Sequence, residues 1–294
     1  MINIHKIVAR DLPDLWFQAV NDILDVGRRF EIHRGSYEGQ TRLEYDYFIG
    51  HVRHPGHGSF TPEILPQIPP AIGIPNPVEF DYVYGGDGYE RSYVEYVMGS
   101  IKNPNESYTY GERLTRHRLG TVDELHTKEG TPVWELSPEI FVQEDVIWND
   151  PRVIIEEDGV FYLNQVELTI KTYMLFGPRN NQRVLQVAKP DDDLLQDPPC
   201  LRQIDTRIQD DTLHFFVYFR SWDLWGGLPA NLPAIQHLKE YMANEIGVKD
   251  GEMIVESKGL HLYGYAERLA QLRCMKEECD DQRQDEATEN KAQE

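Results

Sequence analysis

The sequence is poor in cysteine. Three residues, Cys200, Cys274 and Cys279, are spread over 294 positions. So odd and sparse a set supplies no disulfide framework and fits a reducing compartment. There is no run of about 18 apolar residues, so no membrane-spanning helix is expected. The opening stretch, MINIHKIVARDLPDLW, has neither an apolar signal core nor a small-residue cleavage site, and a cytoplasmic location without a membrane partner is the expectation. Positive charge is also in deficit: the formal net charge is −21. Nucleic acids and anionic membranes need a basic face, so neither is expected as the main partner, while a local pocket for one phosphate stays compatible. Internal repeats are absent.

What the chain does have is apolar content, 40 % of residues, enough for a sizeable core. Residues 11–27 read as an amphipathic helix capped by Asp11, with Pro13 in its first turn, a stripe of Leu12, Leu15, Trp16, Ala19, Val20, Ile23 and Leu24, and a stop at Gly27. The loop that follows is either a solvated basic turn or a phosphate grip built on Arg34. His51, His54 and His57 are separated by Pro55 and Gly56, which break any rigid frame, so no metal site is expected. Residues 62–80 read as extended, proline-rich chain, and the glycines of YGGDGY lack a dinucleotide-binding context. A helix bearing Tyr89, Tyr93, Tyr96, Val97 and Ile101 should end at Pro104. Tyr108, Tyr110, Glu112 and Arg113 surround Gly111; taken alone they read as aromatics closing a core.

Residues 121–162 suggest short strands and loops. A helix is expected over 164–176, then a turn flanked by Arg179 and Arg183 and a strand, RVLQVAK. Further on, Asn231 should open a helix with Pro233 in its first turn and Gly247 at its end. GEMIVESKGLHLYGY reads as a strand pair that puts His261 and Tyr263 on one face. Residues 1–275 are expected to form one domain, and 276–294 an acidic, disordered tail.

Residues 197–231, DPPCLRQIDTRIQDDTLHFFVYFRSWDLWGGLPAN, organise the rest. LRQIDTRI and TLHFFVYFR read as a hairpin about Gln209-Asp210-Asp211, with Leu213, Phe215, Val217 and Phe219 alternating with their neighbours. Arg220 lies twenty residues beyond Cys200, so strand pairing can set the two side by side. A cysteine becomes a nucleophile where nearby positive charge favours its thiolate. Arg220-Ser221 is a phosphate-binding pair, Asn231 offers a donor and an acceptor to a ring amide, and His261 and Tyr263 can serve sugar hydroxyls. Together they sketch a pyrimidine nucleotide.

Pro199-Cys200, Arg220-Ser221-x-Asp223, Gly227-Leu228-Pro229-x-Asn231 and Gly259-x-His261-x-Tyr263 resemble the thymidylate synthase family, with the spacings of that family. Weaker likeness extends to Asn164–Arg183, Tyr110-Gly111 and Arg34-x-Ser36, about two thirds of the chain in all. The resemblance implies an α+β fold: a twisted mixed sheet with helices on one face and a second subunit packed sheet to sheet on the other. It implies Cys200 adding to C6 of a pyrimidine nucleoside monophosphate, and 5,10-methylenetetrahydrofolate or a related reduced pterin as one-carbon donor, with no metal. Asn231 would hold the ring, Asp223 the pterin, His261 and Tyr263 the sugar, and Arg34, Arg220 and Ser221 the phosphate. Arg183 would reach the partner subunit's phosphate site, and Tyr110 and Glu90 would serve proton removal from C5.

Several positions depart from that pattern: Leu201 follows the cysteine, Phe219 precedes Arg220, Trp222 follows Ser221, and Lys189-Pro190 stands where a tryptophan-asparagine pair is usual. These features are similar to an archaeal or divergent branch. Methylation of dUMP is the first expectation. A 5-hydroxymethylase acting on dCMP, CMP or dUMP is an alternative, as is a nucleotide-binding relative without turnover.

Overall fold

The computed structural model describes residues 1–33, 37–58, 60, 81–83, 90–102, 106–126, 130–131, 145–179 and 181–276. Its largest sheet has six strands, in the order β1 (Ile4–Ala9), β4 (Tyr47–Val52), β14 (Lys249–Ser257), β12 (Thr212–Phe219), β11 (Leu201–Gln209) and β10 (Val184–Gln186). β1 runs parallel to β4 and β12 to β14, and the other pairs are antiparallel. A second sheet has the order β13 (Trp222–Asp223), β15 (Leu260–Tyr263), β3 (Thr41–Glu44) and β2 (Arg28–Glu31). A three-stranded sheet joins β7 (His117–Thr121), β9 (Val160–Leu163) and β8 (Ile154–Glu157), and β5 (Asp81–Val83) pairs with β6 (Glu90–Ser92). This is the mixed α+β architecture expected.

The β11–β12 hairpin closes on Asp210 and Asp211, both with φ above +50° (52° and 54°). Left-handed pairs of this kind suit a two-residue hairpin, and aspartate tolerates them better than most side chains. Along β12, Leu213, Phe215, Val217 and Phe219 are buried while the residues between them are half-buried. Each large apolar side chain buried in this way contributes roughly 1.5–3 kcal/mol. The helix over them is α7 (Gly227–Ile246), and α1 (Leu12–Val26) packs on β1 and β4 of the same sheet. In α1 the Asp11 carboxylate accepts from the Asp14 N–H at 2.9 Å, Pro13 sits in the first turn, and the predicted stripe from Leu12 to Ile23 is buried. On the opposite face of the sheet Ile49, Phe216, Tyr218 and Ile254 are half-buried.

Along the chain between β6 and β10 come α2 (Tyr93–Met98), α3 (Tyr110–Thr115), α4 (Val122–Leu125), α5 (Asp145–Trp148) and α6 (Gln165–Phe176), and α8 (Gly264–Arg273) follows β15. The α6 helix is capped by Asn164, whose side-chain oxygen accepts from the Val166 and Glu167 N–H groups, both at 3.1 Å. Gly111 is required where α3 begins, because a Cβ there would overlap the Gly99 carbonyl oxygen.

Three expectations are corrected. Asn231 does not open a helix: α7 starts at Gly227, where Asp223 accepts from the Gly226 and Gly227 N–H groups, and Asn231 and Pro233 lie inside. β14 and β15 are not a strand pair; they enter different sheets across Lys258-Gly259. The helix expected from Tyr89 to Ile101 is the shorter α2, and Ile101 is exposed. Arg34, the proline-rich 62–80 stretch, the YGGDGY glycines, Cys279 and the tail beyond Lys276 lie outside the described residues.

Candidate active site

Two strand pairings assemble the site. Where β11 and β12 meet, Leu201 and Phe219 are partners and the Arg220 N–H donates to the Cys200 carbonyl at 2.9 Å, so the cysteine and the arginine are cross-strand neighbours. Where β13 and β15 meet, the Trp222 N–H donates to the Gly259 carbonyl at 3.0 Å and the Leu224 N–H to the His261 carbonyl at 2.7 Å. Ser221 and Asp223 are thereby drawn alongside Gly259 and His261. Motifs separated by up to sixty positions become one neighbourhood.

Cys200 is a free, half-buried thiol. Burial pushes its pKa up, Arg220 pulls it down, Asp197 opposes Arg220, and Arg202 and Asp223 act in smaller measure. Arg220 is the strongest aid to the thiolate. Its guanidinium is already engaged: Nε donates to the Pro199 carbonyl at 3.1 Å, and Nη2 to Asp197 Oδ1 at 3.2 Å and to the Pro198 carbonyl. The Tyr110 hydroxyl accepts from the Leu201 N–H at 3.3 Å. Burial and the surrounding Tyr93 and Cys200 hold that phenol well above its usual range, so it is a proton-bearing donor beside the thiol.

Asn231 is buried, with 6 % of its surface exposed. Its Oδ1 accepts from the Trp222 indole N–H at 2.8 Å and its Nδ2 donates to the Tyr93 hydroxyl. Asp223 accepts from the Trp225, Gly226 and Gly227 N–H groups at 3.0–3.1 Å. Burial nevertheless raises its pKa. Three of roughly four acceptor positions of that carboxylate are thus committed to the turn that leads into the helix, and about one remains for a ligand.

His261 is 2 % exposed. Its Nδ1 lies 2.8 Å from the Gly259 carbonyl, which can only accept, so Nδ1 carries the proton and Nε2 is an acceptor. That Nε2 is buried without a partner. Burial lowers the pKa to about 4, the Gly259 bond opposes, and Arg42 adds to the lowering. An orphaned buried acceptor is costly unless something fills it, and a ligand hydroxyl would. The Tyr263 ring meets His261 edge-on at 4.5 Å and packs against Tyr37 at 4.6 Å.

Cys200, Arg220, Ser221, Asp223, Asn231, His261, Tyr263 and Tyr110 therefore come together. Glu90 lies in β6, just ahead of the helix that begins with Tyr93. Arg183 does not join them: its carbonyl accepts from Thr206, six residues along β11 from Cys200 and, at 3.3 Å per residue, about 20 Å away. Among the described residues no three His, Cys, Asp or Glu side chains converge as metal ligands. His51 meets Glu252 at 2.7 Å, and His54 stacks on His57. Sequence reasoning missed Tyr93, Trp222 and Asp197 as neighbours of the site. A tryptophan in a site-bearing motif, with a donor-only indole seeking an acceptor, was the one signal available.

The arrangement offers a thiol beside a guanidinium, a protonated phenol, a carboxamide and an acceptor imidazole, a set suited to an anionic ligand with a polar ring and hydroxyls. A family model described as Thymidylate synthase matches residues 156–289. Similar curated proteins bear the name "Putative thymidylate synthase". One, from Methanococcoides burtonii, is 36 % identical over 88 % of this chain and 89 % of its own. Another, from Methanothermobacter thermautotrophicus, is 30 % identical over 88 % and 93 %, and a third, from Methanosarcina acetivorans, 29 % over 88 % and 89 %. The chain belongs to the thymidylate synthase family.

Proposed function

We propose that this protein transfers a one-carbon unit to C5 of a pyrimidine nucleoside monophosphate, converting dUMP to dTMP, as a homodimer. The observation that carries the proposal is the Cys200–Arg220 pairing, with Tyr110 and Tyr263 close enough to the thiol to feel its charge. Cys200 gives up its proton and its thiolate bonds to C6 of the ring. The electron pair released makes C5 nucleophilic, and C5 takes the one-carbon unit. Methylenetetrahydrofolate supplies that carbon and, for methylation, the hydride. Loss of the C5 proton expels the tetrahydrofolate nitrogen and leaves an exocyclic methylene, and the hydride that adds to this methylene drives the sulfur out as a thiolate.

Arg220 and Ser221, joined by Arg34 and by the partner subunit's Arg183, hold the phosphate in this scheme. Asn231 reads the ring, and the orphaned Nε2 of His261 with the Tyr263 hydroxyl takes a sugar hydroxyl. Asp223 keeps about one acceptor position for the pterin. Tyr110 donates to the water that accepts the C5 proton, and Glu90 is the carboxylate for that step.

The test is covalent trapping by 5-fluoro-dUMP with methylenetetrahydrofolate, read by mass spectrometry of the intact chain. An adduct on the wild type that disappears in Cys200→Ser is the expected result; trapping unchanged by the substitution removes the cysteine from the mechanism. Lys189-Pro190, which opens the 3-10 turn Pro190–Leu194, replaces a pair usual in the family and favours a second reading, capture of water to give a 5-hydroxymethyl product. Release of dihydrofolate identifies methylation, and release of tetrahydrofolate identifies hydroxymethylation.

A further inference from the structure

We infer that Trp222 locks the carboxamide of Asn231 in one orientation and thereby makes the site read uracil and reject cytosine; the inference rests on the proposed role of Asn231 as the ring-reading residue. An asparagine amide has an acceptor at one corner and a donor at the other. Uracil presents N3–H and the O4 acceptor; cytosine presents the inverse, an N3 acceptor and a 4-amino donor. A carboxamide that can turn by half a revolution serves both. One that cannot turn serves only one.

Asn231 cannot turn. The Trp222 indole N–H, 2.8 Å from Oδ1, is a donor with no acceptor capacity. Inverting the amide would face N–H with N–H inside a buried region, where an unmade hydrogen bond costs most. Trp222 is itself fixed: it is 2 % exposed and its ring lies 4.2 Å from Phe219, tilted by only 2°. Its backbone is held to Gly259 in the β13–β15 pairing. At the other corner the Tyr93 hydroxyl takes one hydrogen of Nδ2. Of the four hydrogen bonds the amide can make, two are spent, one at each corner. One lone pair and one N–H remain, a single donor–acceptor edge of fixed sense. Tyr93 alone would not impose the sense, since a hydroxyl both donates and accepts. The indole is what decides it.

The experiment compares dissociation constants of dUMP and dCMP by titration calorimetry for the wild type, Trp222→Phe, and a chain carrying 3-benzothienylalanine at position 222. The last keeps the bicyclic shape and lacks the N–H, so it holds the packing if the phenylalanine variant does not fold. Wild type should prefer dUMP, and both variants should lose about tenfold or more of that preference, mainly by gaining affinity for dCMP. Tyr93→Phe should weaken both nucleotides and leave their ratio in place. An unchanged ratio in the benzothienyl protein overturns the lock and leaves the function proposed above intact. Failure of the wild type to bind either nucleotide overturns that function, and the lock with it.

Discussion

At the scale of single residues, the burial of His261 has a consequence for acid stability. In the unfolded chain an imidazole has its ordinary pKa of 6.5; in the fold, burial lowers it to about 4. Between those values the unfolded state binds a proton that the native state refuses, so stability falls as pH is lowered through the window. From pH 6.5 to pH 5 the loss attributable to this one group is about 2 kcal/mol. Urea denaturation at pH 7 and pH 5 should therefore show the wild type losing about 2 kcal/mol more than His261→Gln, and equal losses would mean that the imidazole is not held neutral. His261 was readable in the sequence because its chemistry is local to Gly259-x-His261-x-Tyr263. The company of Asn231 was not: Trp222 stands nine positions away in the chain and Tyr93 stands 138 away. Hydrogen-bond partners delivered by folding leave no periodicity to read.

At the scale of elements, α3 is bolted to the segment that leads to Cys200. Arg113 reaches Asp192 through both nitrogens, at 2.6 and 3.3 Å, and also donates to the Val187 carbonyl at 3.1 Å. The two side chains are 8 % and 1 % exposed. Removing one partner of such a pair strands the other charge inside, which costs about 3–5 kcal/mol. Arg113→Ala should lose that much in chemical denaturation, and a loss below about 1 kcal/mol would show that Asp192 finds water instead. The elements themselves were unequally legible. The α1 helix was plain because cap, proline, apolar stripe and terminal glycine agree. The start of α7 was missed because Asn231-x-Pro233 is a stronger local start signal than Gly226-Gly227, whereas the acceptor for the Gly227 N–H, Asp223, acts from four residues upstream. The parting of β14 and β15 was missed because Ser257-Lys258-Gly259 looks like any tight turn; its Ser257 hydroxyl accepts from the Gly259 N–H at 3.1 Å and carries the chain from one sheet to the next.

At the scale of the molecule, the half-buried face carrying Ile49, Phe216 and Ile254 is the surface on which the proposed homodimer would pack, with Phe216 beside Ile254 in register. Sedimentation equilibrium should find a species of twice the 34.2 kDa chain mass. If Arg183 serves the partner's site, Cys200→Ser and Arg183→Ala proteins, each inactive alone, should on mixing and re-association recover about a quarter of wild-type activity through hybrid dimers. No recovery would place Arg183 outside the partner's site. The overall charge of −21 poses a separate difficulty for any anionic substrate. The Arg220–Asp197 contact meets it in a specific way. The guanidinium waits with a tethered counter-ion, and Asp197 is largely solvent-exposed and weakly held. Under the proposed function a nucleoside monophosphate would enter by ion exchange, displacing a carboxylate that is part of the chain. The displaced group belongs to the three residues just before Cys200, whose Pro198 and Pro199 carbonyls Arg220 also holds, so filling the phosphate site would exchange one of the links between the guanidinium and the stretch of backbone on which the thiol is mounted.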